Sequence, residues 1–241
     1  MSLYGLIGYP LSHSFSPAYF KEKFRREQLD GCEYRAFETE SIDRSFLDAL
    51  VDQGVSGFNV TIPYKEEIIC YLDDLSEESA AIGAVNTVKV TEGRLVGYNT
   101  DVYGFEASLK MKDLNISKAL ILGSGGASKA VRYVLDKHNI AYRIVSRKRH
   151  YLSYEELDQS ILESCQLVVN TTPLGMYPKL DQCPDIPYQW ITQKHLVYDL
   201  IYNPEKTLFL DKAEKQSARI QNGLLMLELQ AEKSWEIWKS T

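Results

Sequence analysis

Residues Lys118 to Ser128 place the strongest constraint on the fold. The run Lys118-Ala119-Leu120-Ile121-Leu122-Gly123-Ser124-Gly125-Gly126-Ala127-Ser128 reads as a buried strand, a tight glycine turn and a helix start. Glycines at such a turn let the backbone approach a pyrophosphate, and the first helical N–H groups face the anion. Gly123, Ser124, Gly125, Gly126 and Ala127 are therefore candidate cofactor contacts. Gly123 and Gly125 satisfy the first two small positions of the dinucleotide fingerprint. Ser128 at the third position is a departure that predicts looser helix–strand packing. In many dinucleotide enzymes this turn lies near the N-terminus, but here 117 residues precede Lys118. The expected order is a substrate domain first and a cofactor domain second.

The next strand ends Val145-Ser146-Arg147-Lys148-Arg149. An NAD site would place Asp or Glu there for the ribose hydroxyls. Basic groups suit a 2′-phosphate instead, and an arginine can hold it with two hydrogen bonds. Ser146, Arg147 and Lys148 thus point to NADP, the alternative being a solvated basic turn. The cluster stands out in a chain of net charge −6, which itself argues against general nucleic-acid binding.

Other classes fall away on composition. At 44% hydrophobic and 25% charged, the 241 residues suit a globular protein of one large domain or two small ones. The first residues carry no basic leader or long apolar run, so no signal peptide is expected. No stretch approaches the roughly 18 apolar residues of a spanning helix. Cys32, Cys70, Cys165 and Cys183 form no CxxC, and His13, His138, His150 and His195 are scattered. The expectations are reduced thiols, no metal, no membrane association and a cytoplasmic location.

Apolar strands alternate with helical stretches throughout, which predicts an α/β fold with a mostly parallel sheet in the first half. Strands are expected at Leu3–Gly8, Tyr34–Glu38 and Ser56–Thr61, with a hairpin over Val85–Val90 and Arg94–Asn99. Helices are expected at Pro17–Leu29, at Ser41–Asp52 with Ser41 as cap, and around Lys65–Tyr71 and Glu77–Ile82. A helix over Asp101–Lys112 is expected to join the domains. The second half repeats the rhythm with strands at Ala119–Leu122, Tyr142–Ser146, Leu167–Asn170, Leu196–Leu200 and Arg219–Gln221, and a helix at Ala127–His138. The last helix, Leu224–Trp238, has the apolar spacing to pack back on the first domain. Residues 1–100 with 224–241 are the expected substrate domain, and 101–223 the Rossmann-like NADP domain.

Polar residues gather after the strands of the first half. In Gly8-Tyr9-Pro10-Leu11-Ser12-His13-Ser14-Phe15-Ser16-Pro17, an extended backbone puts the Ser14 and Ser16 hydroxyls on one side. Pro17 suits the first helical position, which makes Ser16 the N-cap. Such a helix start can bind a carboxylate or be simply capped. Phe58-Asn59-Val60-Thr61-Ile62-Pro63-Tyr64-Lys65 ends a strand with Asn, Thr and Lys, where open α/β sheets bind ligands. The segments Gly83-Ala84-Val85-Asn86-Thr87 and Gly97-Tyr98-Asn99-Thr100-Asp101 add two Asn-Thr pairs and a carboxylate. So many polar groups at strand ends suit a small hydroxylated substrate.

The segments GYPLSHSFSP, NVTIPYK, GAVNT, GYNTD, GSGGAS, NTTPLGM, YDLIYNP and NGLLMLELQA occur in the order seen in the shikimate dehydrogenase family. The chain resembles that family from Gly8 to Ala231. The resemblance implies an NADP-dependent enzyme that reduces 3-dehydroshikimate to shikimate on the way to aromatic amino acids. It implies Lys65 and Asp101 as the catalytic pair, and Ser14 and Ser16 as carboxylate ligands. Thr61, Asn86 and Gln230 match residues that bind substrate hydroxyls, and Tyr202 matches a tyrosine near the substrate carboxylate. Leu200 and Gly223 match positions beside the nicotinamide. The partner is a small molecule, the protein a monomer or homodimer.

The chain departs from the family at several places. Phe20-Lys21 stands where His-Asn is common, and Ser146-Arg147-Lys148 where Asn-Arg-Thr is common. Leu225 replaces a glycine near the nicotinamide position. These bear on cofactor affinity and fine substrate choice more than on reaction class. Two other readings remain open from sequence: a quinate/shikimate-type dehydrogenase, and a non-catalytic ligand-binding paralogue. Retention of both Lys65 and Asp101 argues against the second.

Overall fold

The computed structural model describes residues 2–12, 14–109 and 115–240. His13, residues 110–112 of the expected connecting helix, and the end residues 1 and 241 of the first expected domain lie outside the described residues. The chain divides into two compact units, Met1–Thr100 with Ala231–Thr241, and Asp101–Gln230.

The first unit is a six-stranded sheet in the order β2-β1-β3-β5-β6-β4. Its strands are β1 (Ser2–Gly8), β2 (Cys32–Glu38), β3 (Val55–Val60), β4 (Asp74–Leu75), β5 (Thr87–Thr91) and β6 (Arg94–Tyr98). β1 runs parallel to β2 and β3, whereas β5 is antiparallel to both β3 and β6. The sheet is therefore mixed. The reversal comes from the β5–β6 hairpin, whose turn residues Glu92 and Gly93 both have positive φ, 52° and 76°. Such a turn matches the natural twist of paired strands.

Helix α1 (Phe15–Arg26) starts two residues before the predicted Pro17. Ser14 is its N-cap, with no side-chain capping bond, and Ser16 lies inside the first turn rather than capping it. Proline fits here because no N–H in the first turn has an intrahelical acceptor. Helix α2 (Arg44–Asp52) is capped by Asp43, whose carboxylate accepts the Phe46 N–H at 2.8 Å, rather than by Ser41. The stretch after Lys65 is a 3-10 turn at Glu67–Tyr71. Helix α3 (Glu77–Ile82) is capped by Ser76 and ends at Gly83, where φ is 65°.

Two apolar clusters build this unit. One joins Leu3, Ile7, Phe58, Val60, Val88 and Leu95 to Leu47 and Leu50 of α2. The other is aromatic: Tyr4, Phe20 and Phe24 pack with Ala231, Trp235 and Trp238 from the chain's last helix. Gly57 of β3 makes room, since a Cβ there would lie 2.4 Å from the Trp238 ring. The Trp238 indole also donates to the Val88 carbonyl at 2.9 Å. Buried Lys23 clamps the same helix, bonding Glu27 at 2.6 Å and Glu232 at 2.7 Å, and the Tyr19 hydroxyl donates to Glu232.

The second unit is a five-stranded, wholly parallel sheet in the order β11-β10-β9-β7-β8. Its strands are β7 (Lys118–Leu122), β8 (Ala141–Val145), β9 (Leu167–Asn170), β10 (Leu196–Asp199) and β11 (Arg219–Gln221). The strand residues of β7 from Ala119, and all of β9 and β10, are buried, as a sheet covered on both faces requires. Helices α4 (Thr100–Leu109), α5 (Gly126–Lys137), α6 (Gln159–Glu163), α7 (Leu208–Glu214) and α8 (Leu224–Lys239) complete the described helices. α6 and α7 were not expected from sequence; each is short and capped, by Asp158 and Thr207. Gly104 lets α4 meet α8, because a Cβ would lie 2.5 Å from the Met226 carbonyl.

Candidate functional site

In the first unit the expected substrate residues gather at one edge of the sheet. β1 and β3 are parallel, so the segments bearing Ser14 and Ser16 and those bearing Thr61 and Lys65 leave from the same side. β5 runs opposite to β3, which brings the residue before it, Asn86, to that side. β6 runs opposite to β5 and delivers Asn99 and Thr100 there too. Strand polarity alone thus assembles polar residues that are far apart in sequence.

Each of these side chains has a fixed backbone setting. Thr61 donates its N–H to the Ile7 carbonyl at 2.9 Å, and the Lys65 carbonyl accepts from Val85 at 2.7 Å. Tyr64 beside it is buried and bonds the Thr39 carbonyl at 2.7 Å. Asn86 is buried, its Oδ1 accepting the Thr100 N–H at 2.7 Å and its Nδ2 donating to the Thr100 hydroxyl at 3.0 Å. Ser14 is half-buried, while Ser16 is 8% exposed and packs inward. The two serines therefore differ in access, unlike the matched pair an extended segment would give. Buried Asn99 donates to the Ala84 carbonyl at 2.9 Å and leaves its Oδ1 without a partner.

The remaining expected substrate residues belong to the second unit. Asp101 is buried in the first turn of α4. Gln230 is buried on α8 and donates to the Leu227 carbonyl at 3.0 Å. The Gly104 approach brings α4 against Gln230, whose Cβ would lie 3.1 Å from a Cβ at Gly104. Tyr202 follows β10 and is half-buried.

The glycine turn sits at the carboxyl end of β7. Gly123 has φ 109°, and a Cβ there would also lie 2.6 Å from the Thr171 hydroxyl. Both facts require glycine. Gly125 caps α5 with no side-chain bond, and a Cβ there would meet open space. Gly126 and Ala127 open α5, so their N–H groups belong to the first turn. Ser128 is 1% exposed; a serine is small enough to be accommodated at this close approach. Ser124 bonds Ser146 at 2.9 Å, joining the turn to the end of β8. Beyond it a cavity of about 520 Å³ is lined by Ser146, Arg147, Lys148, Arg149, Tyr151 and Tyr154. A glycine-gated backbone cradle with exposed cations beside it fits a dinucleotide carrying an extra phosphate.

The far side of this sheet edge rests on a residue the sequence did not flag. Asp199 ends β10 fully buried. It accepts from Asn170 at 2.9 Å, from Thr207 at 2.6 Å and from the Ile201 N–H at 3.1 Å. Burial raises its carboxyl pKa to about 6, and those three hydrogen bonds work against the rise. The carboxylate ties the ends of β9 and β10 to the start of α7, and so holds Leu200. Gly223 lies so close to Leu200 that a Cβ would be 2.1 Å from its carbonyl oxygen. Leu225, two residues on, is 42% exposed. Among the described residues no helix is long and apolar enough to cross a membrane. Nor does any group of three His, Cys, Asp or Glu there form a potential metal site.

Comparison with known proteins gives a consistent family. The profile of the shikimate dehydrogenase substrate binding domain matches residues 6–88. The shikimate dehydrogenase (NADP(+)) of Methanococcus aeolicus is 38% identical over 98% of this chain and 91% of its own. A crystal structure of shikimate 5-dehydrogenase from Thermus thermophilus, in complex with NADP(H) and shikimate, superposes with TM-score 0.88. It is 31% identical and covers 99% of this chain and 94% of its own. Quinate dehydrogenase from Corynebacterium glutamicum, in complex with NAD, has TM-score 0.88 at 25% identity, covering 99% and 93%.

Proposed function

Because the chain belongs to the shikimate dehydrogenase family, we propose that Lys65 and Asp101 are its catalytic residues and that the two units divide the ligands between them. The protein is an NADP-dependent oxidoreductase that interconverts 3-dehydroshikimate and shikimate, in the biosynthesis of aromatic compounds. The first unit supplies Ser14 and Ser16 for the substrate carboxylate and Thr61 and Asn86 for its hydroxyls. Tyr202 and Gln230 add further substrate contacts. The second unit takes the cofactor on Gly123 to Ala127, Ser146, Arg147, Lys148, Leu200 and Gly223. One observation carries this assignment: amide and hydroxyl side chains converge at the strand ends of the first unit's sheet, and within the second unit a glycine turn lies beside exposed cations at the ends of β7 and β8.

Bound NADPH supplies the hydride. The substrate's carbonyl carbon receives it, the C=O π bond breaks, and negative charge develops on the oxygen. The Lys65 ammonium stabilises that charge, and the oxygen takes a proton from the Lys65–Asp101 pair. The Asp101 carboxylate accepts a hydrogen bond from a substrate hydroxyl and so orients the ring. The carboxylate at the other end of the substrate binds the start of α1, where the positive end of the helix dipole and the Ser14 hydroxyl favour an anion.

Arg147 and Lys148 support NADP over NAD, since neither carboxylate expected of an NAD site occupies the end of β8. A net charge of −6 supports the absence of a nucleic-acid partner. We place the protein in the cytoplasm, as a monomer or homodimer. The decisive assay is NADPH oxidation with 3-dehydroshikimate, beside NADH and quinate controls. Turnover restricted to NADPH and 3-dehydroshikimate is the expected result. Preferred turnover of quinate with NAD would transfer the protein to the quinate-type reading, and no turnover to the non-catalytic one.

A further inference from the structure

Ser234 of α8 is wholly buried beside the aromatic cluster of Trp235 and Trp238. A hydroxyl in such a place costs free energy unless it is fully bonded. It is bonded: the Asn59 amide donates to it at 2.9 Å, and its oxygen lies 2.8 Å from the Thr87 hydroxyl and 3.1 Å from that of Thr100. Asn59 also donates to Thr87 at 3.1 Å and to the Asn86 carbonyl at 3.2 Å. Its Oδ1 accepts from the Tyr34 hydroxyl at 2.8 Å.

Tyr34 closes the chain at the opposite end. Its ring stacks on Phe20 at 4.5 Å with planes 12° apart, which fixes where the hydroxyl sits. Phe20 is one of the residues at which this chain departs from the common family pattern. Burial holds the phenol well above its ordinary pKa. Tyr34 therefore stays protonated and acts as a donor. An amide oxygen only accepts, so the Tyr34 proton goes to Asn59. The hydrogen bond thus has one direction, from Tyr34 to Asn59.

We propose that Tyr34 and Ser234 are positioning residues of the substrate site. Through Asn59, Thr87 and Thr100 their hydroxyls reach Asn86 in one buried relay. The relay fixes the orientation of the Asn86 side chain, the proposed contact for a substrate hydroxyl, so that losing either hydroxyl is felt in substrate binding. This rests on the assignment of Asn86 to the substrate. Buried networks of this kind couple their members beyond pairwise sums.

The test is a double-mutant cycle of Tyr34→Phe and Ser234→Ala, reading KM and kcat for shikimate with NADP, and the melting temperature. The two hydroxyls bond opposite ends of the Asn59 amide. Each single change should raise KM about fivefold, the size of one lost hydrogen bond, with kcat moving less than about twofold. The double variant should stay near the larger single effect. KM values that multiply, or melting temperatures that fall while KM stays put, would overturn the relay and leave two structural hydroxyls. If Tyr34→Phe gives no folded protein, Ser234→Ala decides alone by the same KM criterion. A wild-type protein without shikimate turnover would instead sink the functional assignment, and the relay with it.

Discussion

In the first unit Asn86, Thr100 and Ser234 are buried and held side chain to side chain, whereas in the second Arg147 and Lys148 stand exposed at the end of β8. The proposed cofactor edge relies on backbone: glycines at 123 and 223, where an added Cβ would meet neighbouring atoms, and N–H groups at the start of α5. On the assignment proposed above, the difference follows from the ligands. A small polyhydroxylated ring must be told from close relatives, and unpaired buried amides and hydroxyls penalise a wrong one heavily. A dinucleotide offers charge and length, so an open cradle with a few cations suffices.

Four changes would break or sharpen that contrast. The largest effect belongs to the chemistry. Lys65→Ala should lower kcat by about two orders of magnitude or more, with a smaller change in KM. Wild-type turnover in that variant would remove Lys65 from catalysis. Next comes the backbone of the cofactor edge. At Gly223 an added methyl must displace the Leu200 carbonyl, so Gly223→Ala should cost about 1–3 kcal/mol of stability. It should raise KM for NADP more than KM for shikimate, and the reverse order would move Gly223 away from the nicotinamide.

The exposed cations should matter less. Arg147→Ala should weaken NADP by about tenfold through a lost charge-assisted bond, and leave NAD almost unchanged. Equal losses for both cofactors would mean that Arg147 does not read the 2′-phosphate. The smallest effect is on stability against pH. Asp199 has its folded-state pKa raised to about 6 from 3.8, so between those values the folded protein holds more protons than the unfolded chain. Stability is then lost as pH rises through that window. Asp199→Asn should abolish this part of the slope: the variant's melting temperature relative to wild type should climb between about pH 4 and pH 7. A flat difference would show that Asp199 titrates normally.

Sequence reading went furthest where local pattern and tertiary role coincide. The β7–α5 turn is written in consecutive residues, and Gly123 and Gly125 occupy the expected places. Helix starts were harder. Ser41 and Asp43 are both good caps two residues apart, and only the Phe46 N–H selects Asp43. Pro17 is tolerated anywhere in a first helical turn, so it could not say whether Ser14 or Ser16 comes first. The short helices α6 and α7 have too few residues for an apolar period to emerge. The proposed substrate residues rest on the ordered family motifs rather than on physics alone. Asp199 was hidden inside such a motif as one more strand residue. Ser234 had no local signal at all, because its partner Asn59 is 175 residues away.

That separation has a consequence for how the protein is made. The cluster on one face of the first sheet needs Trp235 and Trp238, and Gly57 and Val88 are shaped to receive the second of them. A ribosome releases residues in order, and domains generally fold as they emerge. Here the first hundred residues leave the exit tunnel with an open apolar face. They wait on it while the whole of the second unit is synthesised. The order of synthesis is therefore the reverse of the order of completion: the unit translated first is the last to close.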